Sequence, residues 1–600
     1  MIQFIFAQMV LGQGGKKPPA PKPTPVTISI NAKDGSTVQG VVNFRVRVDS
    51  EMMVSGVEFY VNGKLRATDD SSPYDFQIDT LNEADGPIKL KFVAFTAKGS
   101  RNEKLLTLTV DNKVSGGPDI HVTKAGEFIA SGEWEKAIYE GRIALKAKPN
   151  YVPARMILAR AYAGKKEFDS ALAQASEAVA VEPNNIAALD LVASLQVRQV
   201  FGAYLRGGEK ELIELGKTIR ESLSNAASMR RKSLDARVDG FTSVTKDNLI
   251  DFADTAIGAG RYGAAIMQLQ KPFEADQRRI DIANRLAFAQ LRAGRLNDAD
   301  RTVSLGIRYG KPDAYTYALK AVVDYERGRG DSSKEAMKNA ILNDSSNSGV
   351  RTAQVYLAVR QGQWDTVRSL GSDLVKDEGQ RAETNFYLSV MQDRTRNFAD
   401  SRKFMEACLL AEPASVEMYC EQGLRAISIA MTPNMVKKFV DMNLESAKGY
   451  FEVARTARPD SAQALTGLAL AAFFQDKDLD AMKFAEAAVA AGPGYAAGLF
   501  TYAGILQERV QSLQRAATNK LAEAGKIGNT NPAEAEKLRR ESAEIEKKTR
   551  EYLQVSQALL NRAADLDPDG LGFRQAPSAK KAYDYFLRRG LVPYFAPPSR

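Results

Sequence analysis

The sequence predicts a multi-domain protein in which a small all-β sandwich is followed by an all-α solenoid of helical hairpins. Three observations carry this prediction. Apolar and polar residues alternate over short segments in the N-terminal part of the chain. One short pattern then recurs every 34 residues in the middle of the chain, as from Ala265 to Ala299. The chain has 600 residues, which is too long for a single compact core.

The first residues predict a leader followed by a linker. Met1–Gln13 is apolar but too short to span a bilayer, and Gly14–Pro25 is a stiff proline-rich spacer. We interpret the apolar run as the end of a secretory signal whose basic part lies upstream, which favours the periplasm or the cell surface. The alternative is a disordered leader on a cytoplasmic protein. No transmembrane span is predicted.

Segments after Val26 alternate with a period of two, which is typical of half-buried β-strands. Val42–Val48 and Val57–Val61 show the alternation clearly, and Asn62-Gly63 directly after the second is a tight-hairpin signal. About seven such strands in close succession predict a small antiparallel sandwich. This part of the sequence has no cysteine pair, so apolar packing alone must hold the two sheets together.

The 34-residue period between Lys246 and Pro413 predicts stacked helical hairpins. In each copy an apolar helix ends at a turn, as at Gly294, where a left-handed backbone closes the helix. A small or short residue in the second helix then lets a neighbouring helix approach closely. Neither helix can bury its apolar face alone, so stacked copies share a continuous core. The small positions are Ala265, Ala299, Ser333, Val367 and Ser401.

This pattern resembles the tetratricopeptide repeat, a protein-binding solenoid unit. The resemblance rests on a glycine, an aromatic residue and a small residue at fixed spacing, as in Gly260–Ala265 (Gly-Arg-Tyr-Gly-Ala-Ala). Gly132–Ala137 (Gly-Glu-Trp-Glu-Lys-Ala) is an earlier copy, and a proline such as Pro413 often ends the second helix. The resemblance implies a right-handed superhelix whose first helices line a concave face.

The strand-rich part resembles the bacterial immunoglobulin-like modules of exported and cell-surface proteins. The residues that carry this resemblance are Val57–Gly63 (Val-Glu-Phe-Tyr-Val-Asn-Gly) and Ser72–Phe76 (Ser-Pro-Tyr-Asp-Phe). The resemblance implies a spacer or adhesion unit, and occasionally a sugar binder.

Near the C-terminus the spacing changes to heptads. Leu499, Leu506 and Leu513 recur every seven residues before the break Gly525–Pro532, which predicts an antiparallel helical hairpin that projects from the stack.

The predicted organisation is a leader and linker at residues 1–25, the sandwich at 26–112, a linker at 113–118, repeats at 119–185, irregular helices at 186–246, repeats at 247–495, the long hairpin with a final repeat at 496–575, and a C-terminal tail at 576–600.

Composition and motifs argue against several functions. The net charge of +9 comes from 82 basic and 73 acidic residues mixed along the chain, so nucleic-acid binding is not predicted. His121 is the only histidine, and it is remote from the two cysteines, Cys408 and Cys420. No arrangement for nucleophilic, metal-dependent or phosphate chemistry is present, so we predict no enzyme activity, no metal and no cofactor. The two cysteines are interpreted as buried thiols, with a disulfide as the alternative in an oxidising compartment.

The candidate site is a peptide groove on the first helices of four consecutive repeats. Aromatic rings would pack against the side chains of a bound segment, and guanidinium groups would hold carboxylates, so the predicted partner is an acidic or C-terminal peptide segment. The alternative is that several of these rings pack against the adjacent helix. The candidate residues are Asn284, Phe288, Arg292, Tyr315, Tyr325, Tyr356, Arg360, Phe386 and Arg394.

Three functions follow from these patterns. The first is a non-enzymatic scaffold in the bacterial cell envelope that binds peptide segments of other proteins. The second is a cytoplasmic adaptor built from the same repeats. The third is a surface adhesion or carbohydrate-binding protein that acts through the sandwich.

Overall fold

In the computed structural model of the protein, the described residues form two compact units. The first unit ends at Lys165 and the second begins at Lys166. The predicted leader and linker at residues 1–25 lie outside the described residues. The described residues are 26–204, 211–379, 381–567 and 578–593.

The strands of the first unit form two sheets. The smaller sheet has the order β1-β3-β6, and the larger has the order β2-β8-β7-β4-β5. The pairs are antiparallel, except that the two-residue strand β2 runs parallel to β8. The strands are β1 Thr27–Ile30, β2 Thr37–Val38, β3 Val41–Asp49, β4 Val54–Val61, β5 Lys64–Asp69, β6 Tyr74–Asp79, β7 Gly86–Thr96 and β8 Arg101–Val110.

Phenylalanine rings from both sheets fill the core of the sandwich. The ring of Phe44 on β3 lies 5.7 Å from that of Phe59 on β4, and Phe59 stacks on Phe92 at 4.7 Å. The predicted hairpin is present between β4 and β5, where Asn62 and Gly63 both take positive φ angles, of 50° and 82°. The alternation of buried and exposed residues therefore arises from strands that each present one face to this aromatic core.

The first unit also contains three helices, α1 Pro118–Ala130, α2 Trp134–Ala147 and α3 Val152–Gly164. Hydrogen bonds join α2 to the end of β6 and the turn after it. Lys146 Nζ donates to the carbonyls of Thr80, at 3.2 Å, and Leu81, at 3.0 Å. Arg142 Nη2 donates to Oδ2 of Asp79 at 2.5 Å. The sandwich and the first helices therefore pack as one body.

The second unit is built from helices, and no strand occurs among the described residues beyond Val110. This confirms the predicted fold class, a β-sandwich followed by an all-α solenoid. The helices are α4 Phe168–Val181, α5 Ile186–Tyr204, α6 Glu211–Asp239, α7 Leu249–Gly258, α8 Tyr262–Ala275, α9 Ile280–Arg292, α10 Leu296–Tyr309, α11 Ala314–Glu326, α12 Gly330–Asp344, α13 Ser348–Gln361, α14 Trp364–Glu378, α15 Ala382–Arg394, α16 Phe398–Ala411, α17 Val416–Ala430, α18 Lys437–Ala457, α19 Ala462–Phe474, α20 Asp478–Ala491, α21 Ala496–Ile527, α22 Pro532–Leu566 and α23 Ala579–Arg589.

The 34-residue register places the small residues where helices touch. Each is the fourth residue of a second helix, from α8 to α16, and none is more than 4% exposed. The turn before each second helix needs a left-handed residue, which is Gly294 in one copy, with φ of 72°, and Arg396 in another, with φ of 63°. A large core then runs from α5 to α23 among the described residues, and smaller clusters lie between α19, α20 and α21 and between α21 and α22.

The second unit curls until distant repeats meet. Arg230 on α6 lies 2.8 Å from Glu412, which follows α16, and Arg220 on the same helix donates to Ser446 on α18 at 3.2 Å. The turn at Gly294 touches the turn at Gly494, and a Cβ on Gly294 would lie 3.3 Å from the carbonyl carbon of Gly494. The inner face formed by the first helices is therefore narrow.

Candidate peptide-binding site

A charged residue recurs in the last turn of four consecutive first helices. Arg292, Glu326, Arg360 and Arg394 lie on α9, α11, α13 and α15, each 34 residues from the next. Because the repeats stack in one register, equal sequence positions lie on equal faces of successive helices. The four side chains therefore belong to one row on the inner face, and three of them are the arginines predicted from the sequence.

Arg360 is paired with the glutamate of the preceding repeat. Its Nη2 lies 3.2 Å from Oε2 of Glu326, and the hydroxyl of Tyr356 donates to Oε1 of the same carboxylate at 2.7 Å. Only 3% of the Arg360 side chain is exposed. Burial alone would lower the pKa of this guanidinium, but Glu326 outweighs that effect and raises it. Burial raises the pKa of Tyr356 well above its usual range, so its hydroxyl stays a donor.

The other two arginines reach α17. Arg292 Nη2 donates to Oε1 of Glu417, and Arg394 Nη2 lies 2.6 Å from Oε1 of Glu421. The two glutamates are four residues apart and share one helix face. Burial alone would raise the pKa of Glu417, but Arg292 and Arg458 hold it below its usual value. Burial raises the pKa of Glu421, and Arg394 offsets this only in part.

Most of the other predicted site residues are buried between helices. The Phe386 ring lies 5.2 Å from that of Tyr387, which in turn lies 6.1 Å from Tyr356 on the preceding first helix. A large ring on a first helix gains more from packing against the next first helix than from facing solvent. Peptide binding by these residues stays a prediction. Asn284, Phe288, Tyr315, Tyr356 and Phe386 are at most 5% exposed, and Tyr325 is partly buried.

Helix α23 lies against the inner face of the first helices. The hydroxyl of Tyr583 donates to the carbonyl of Leu424 on α17 at 3.4 Å, and its ring meets Phe474 on α19 edge-on at 6.2 Å. The ring of Tyr585 lies 5.3 Å from Phe500 on α21, also edge-on. One short helix therefore contacts three successive first helices.

The inner face also donates hydrogen bonds to the C-terminal end of α23. Arg360 Nη1 donates to the carbonyl of Arg588 at 3.2 Å, and the hydroxyl of Tyr495 donates to the carbonyl of Gly590 at 2.7 Å. The last carbonyls of a helix lack partners within the helix and carry the negative end of its dipole. At this end of α23, the Arg360 guanidinium and the Tyr495 hydroxyl donate hydrogen bonds to these carbonyls, and the positive charge of Arg360 offsets the negative end of the dipole.

A cavity adjoins the chain that follows α23. Arg292 Nη1 donates to the carbonyl of Pro593 at 2.6 Å, at the wall of a cavity of about 1090 Å³. More arginines than acidic side chains line this cavity, and Arg295 and Arg562 lie exposed at its rim. An extended segment with negative charge would meet complementary charge there.

Helix α23 lies within residues 576–600, which were predicted from the sequence to be a C-terminal tail. Ala579, Ala582, Tyr583 and Phe586 are spaced as one face of a helix, and all four are buried. This spacing could have indicated the helix, but it could not have indicated where the helix docks. Its neighbours on α13, α17 and α19 are more than a hundred residues away in sequence.

Other chemistry is not visible among the described residues. They contain no group of three His, Cys, Asp or Glu side chains placed to hold a metal ion, and no helix among them is long and apolar enough to cross a membrane. His121 is buried, with its Nδ1 2.6 Å from Oε2 of Glu140. Cys408 and Cys420 are buried free thiols.

Two family models match segments of the chain. The bacterial Ig domain matches residues 23–92, and the tetratricopeptide repeat matches residues 128–195. No curated protein matches the chain.

Solved structures resemble parts of the chain at low identity. Yeast Tom70 is 13% identical, with 75% of this chain and 97% of that chain covered and a TM-score of 0.32. The Cut9–Hcn1 hetero-tetramer of APC/C is 12% identical, with 75% and 91% covered and a TM-score of 0.36. The fibronectin(III)-like modules of Clostridium thermocellum CbhA are 28% identical, with 14% and 94% covered and a TM-score of 0.13. The family models therefore identify a bacterial Ig domain at residues 23–92 and tetratricopeptide repeats at residues 128–195.

Proposed function

We propose that this protein is a non-enzymatic scaffold that binds segments of other proteins on the inner face of its repeats. The observation that carries this proposal is the use of repeat-equivalent arginines to hold polypeptide backbone. Arg360 and Arg292 donate to main-chain carbonyls of the C-terminal segment, at Arg588 and Pro593. Carbonyls are common to every polypeptide, so the same donors suit a segment of another protein.

We infer further that the bound segment is acidic or ends in a free carboxylate. The excess of arginine around the cavity supports this inference, because it favours negative charge in a narrow, partly desolvated space. Exposed ion pairs are screened by salt. Binding should therefore weaken as the ionic strength rises.

Capture of partners by the full-length chain tests the proposal. The test variant carries Arg295→Glu and Arg562→Glu, two exposed changes at the cavity rim. The control carries Lys334→Glu and Arg368→Glu, which make the same charge change on the exposed side of α12 and α14. We expect the rim variant to bind captured partners at least about tenfold more weakly, and the control to bind as the wild type does. Equal binding by both variants would refute the proposal.

The rim variant is preferred to alanine substitutions at Tyr356 and Arg360. Those two side chains are buried around Glu326, so their removal would leave an unpaired carboxylate in the core. A loss of binding could then arise from unfolding. Arg295 and Arg562 are exposed, and changes there leave the core intact.

We also propose that the protein works outside the cytoplasm, in the bacterial cell envelope. The match of residues 23–92 to a bacterial Ig domain supports this location, as does the apolar start of the chain. Cell fractionation of the tagged protein, expressed from its own gene, should place it in the periplasmic or surface fraction. Recovery in the cytosol with the apolar start uncleaved would favour a cytoplasmic adaptor.

A further inference from the structure

We propose that α23 is a resident ligand of the inner face, and that the external partner is an amphipathic helix of the same kind. This inference rests on the proposed function and names the class of partner. Such a helix presents a small residue, aromatic residues about one turn later, and a C-terminal turn whose carbonyls are free to accept hydrogen bonds.

Helix α23 reaches further than a cap on the last hairpin needs to. A helix that caps a solenoid stacks on the last hairpin, and α23 does pack on α21 of that hairpin, at Phe500 and Gly504. It also crosses earlier first helices. Tyr583 meets Phe474 of α19 and Leu424 of α17, and the C-terminal end of α23 meets Arg360 of α13. The contacts with Leu424 and Arg360 come from repeats that precede the last two hairpins in sequence.

A glycine provides the seat for the helix backbone. Gly504 lies within α21, and a Cβ at that position would be 3.3 Å from the carbonyl oxygen of Ser578 and 3.4 Å from Cβ of Ala582. The missing side chain lets α23 approach closely at its first turn. Glycine destabilises the interior of a helix. At Gly504 this cost accompanies the close contact between α21 and α23, because any side chain at that position would separate the two helices.

The anchors explain which helices fit. Ala582 lies beside Gly504, and Tyr583 contacts Leu424 and Phe474. Phe586 is fully buried, and the hydroxyl of Tyr585 donates to Asp567 at 2.7 Å. Lys580 and Lys581 on the opposite face are exposed. An incoming helix therefore needs an apolar and aromatic face of this spacing. The acidic residues or free carboxylate of the proposed partner belong to the chain that follows this helix into the cavity, as Pro593 follows α23.

Peptide binding to the full-length chain tests the proposal. The probe is a fluorescein-labelled peptide of residues 578–593, and the release variant is Tyr583→Ala with Phe586→Ala. We expect the release variant to bind the peptide at least about tenfold more tightly than the wild type, whose seat is already filled. A peptide with the same two alanines is the negative probe. Equal affinity of wild type and release variant for the native peptide would overturn the proposal.

A blocking variant shows where the peptide binds. Gly504→Leu, made in the release variant, places a side chain in the vacated seat and should reduce peptide affinity at least about tenfold. Gly525→Leu is the matched control on the same helix, because a Cβ there meets nothing within 4 Å. It should leave affinity unchanged. Binding that is insensitive to Gly504→Leu would place the peptide elsewhere and overturn the proposal.

Hydrogen exchange on the wild type gives a test that needs no folded variant. We expect the amides of α23 to exchange at least about tenfold faster than the buried amides of α19, because a displaceable helix opens locally. Equally slow exchange would make α23 a permanent part of the core. Wild-type dimers that disappear in the release variant would assign the seat to a second copy of the chain, and would also overturn the proposal.

The outcomes distinguish this inference from the proposed function. If the peptide binds as expected but the rim variant of Arg295 and Arg562 still captures partners normally, the seat is real and the scaffold proposal fails. If the rim variant loses its partners but the released chain does not bind the peptide, the scaffold proposal stands and α23 is structural.

Discussion

At the residue scale, backbone conformation and buried charge decide which substitutions each repeat tolerates. The turn between helices needs a left-handed residue, and glycine supplies it at Gly260, Gly294, Gly328 and Gly362. Arg396 takes the same conformation at the equivalent position, which costs an ordinary side chain about 1 kcal/mol or more. The repeat therefore keeps the left-handed turn even where the turn residue is an arginine, for which this conformation is unfavourable.

Gly294→Ala should destabilise the protein. The residue has φ of 72°, and its added Cβ would press on Gly494 at 3.3 Å. We expect the free energy of unfolding to fall by about 1–2 kcal/mol. Gly263→Ala in α8 is the control, because its Cβ would meet nothing within 4 Å, and it should change stability by less than about 0.5 kcal/mol. Urea unfolding measures both, and equal effects would show that the turn conformation is not strained.

The two glutamates of α17 should have opposite effects on acid stability. The pKa of Glu417 is lowered from 4.5, so its contribution to stability is present above pH 4.5 and is lost as the pH falls through the lowered value. The pKa of Glu421 is raised from 4.5 by burial, so its contribution is present below pH 4.5 and is lost as the pH rises through the raised value.

Substitution by glutamine should separate the two effects. Glu417→Gln should flatten the loss of unfolding free energy below pH 4.5. It should also lower stability at neutral pH by about 3 kcal/mol or more, because the buried guanidinium of Arg292 loses the carboxylate that neutralises its charge. Glu421→Gln should lack the decline of stability that begins above pH 4.5. Urea unfolding from pH 3 to pH 7 measures both. Parallel curves for the two variants would contradict the assignment.

At the element scale, pairs of helices pack through small residues in a shared register. The fourth residue of each second helix from α8 to α16 is buried. The residue that begins such a helix is large but is not always the same: it is Trp364 in α14 and Phe398 in α16. The long pair α21 and α22 uses the same principle over more turns, with Ala517 and Leu538 buried between the two helices.

Ala299→Leu should overpack the contact between repeats. Ala299 is fully buried, so the larger side chain forces neighbouring helices apart, and we expect a loss of about 1–3 kcal/mol in unfolding free energy. Asn297→Leu is the control, because Asn297 is exposed on the same helix and should change stability by less than about 0.5 kcal/mol. Thermal unfolding compares the two, and unchanged stability at Ala299 would mean that the register is wrong.

At the scale of the second unit, contacts between repeats that are distant in sequence stabilise the curvature of the stack. Arg230 bridges Asp190 on α5 and Glu412 after α16, at 2.8 Å to each. Burial alone would lower its pKa, but the two carboxylates raise it. The curl brings Arg292 to Glu417 and positions α23 against the first helices.

Arg230→Met should loosen this closure. Two partly buried carboxylates lose their shared cation, and we expect unfolding free energy to fall by about 1.5–3 kcal/mol. Arg278→Met is the control, since its pair with Asp276 is on the surface and should contribute about 0.5 kcal/mol or less. Urea unfolding compares them. A loss at Arg230 no larger than that at Arg278 would show that the bridge does not stabilise the curl.

The sequence by itself determined the local structure of the chain. Alternation with a period of two located the strands, and the glycine, aromatic and small residues at 34-residue spacing located the turns and helix contacts of the central repeats. These features depend on backbone conformation and on neighbours within one repeat, so a single sequence contains them. The recurrence of Arg292, Arg360 and Arg394 on one face also followed from the register.

Only the tertiary structure decided what those side chains meet. Arg292 and Glu417 are 125 residues apart, and Arg360 lies 228 residues from the carbonyl of Arg588 that it holds. Which repeats meet depends on small rotations that accumulate from one hairpin to the next, and no single repeat encodes their sum. A register therefore predicts which residues share a face, whereas the accumulated curl decides that this face closes on itself and receives α23.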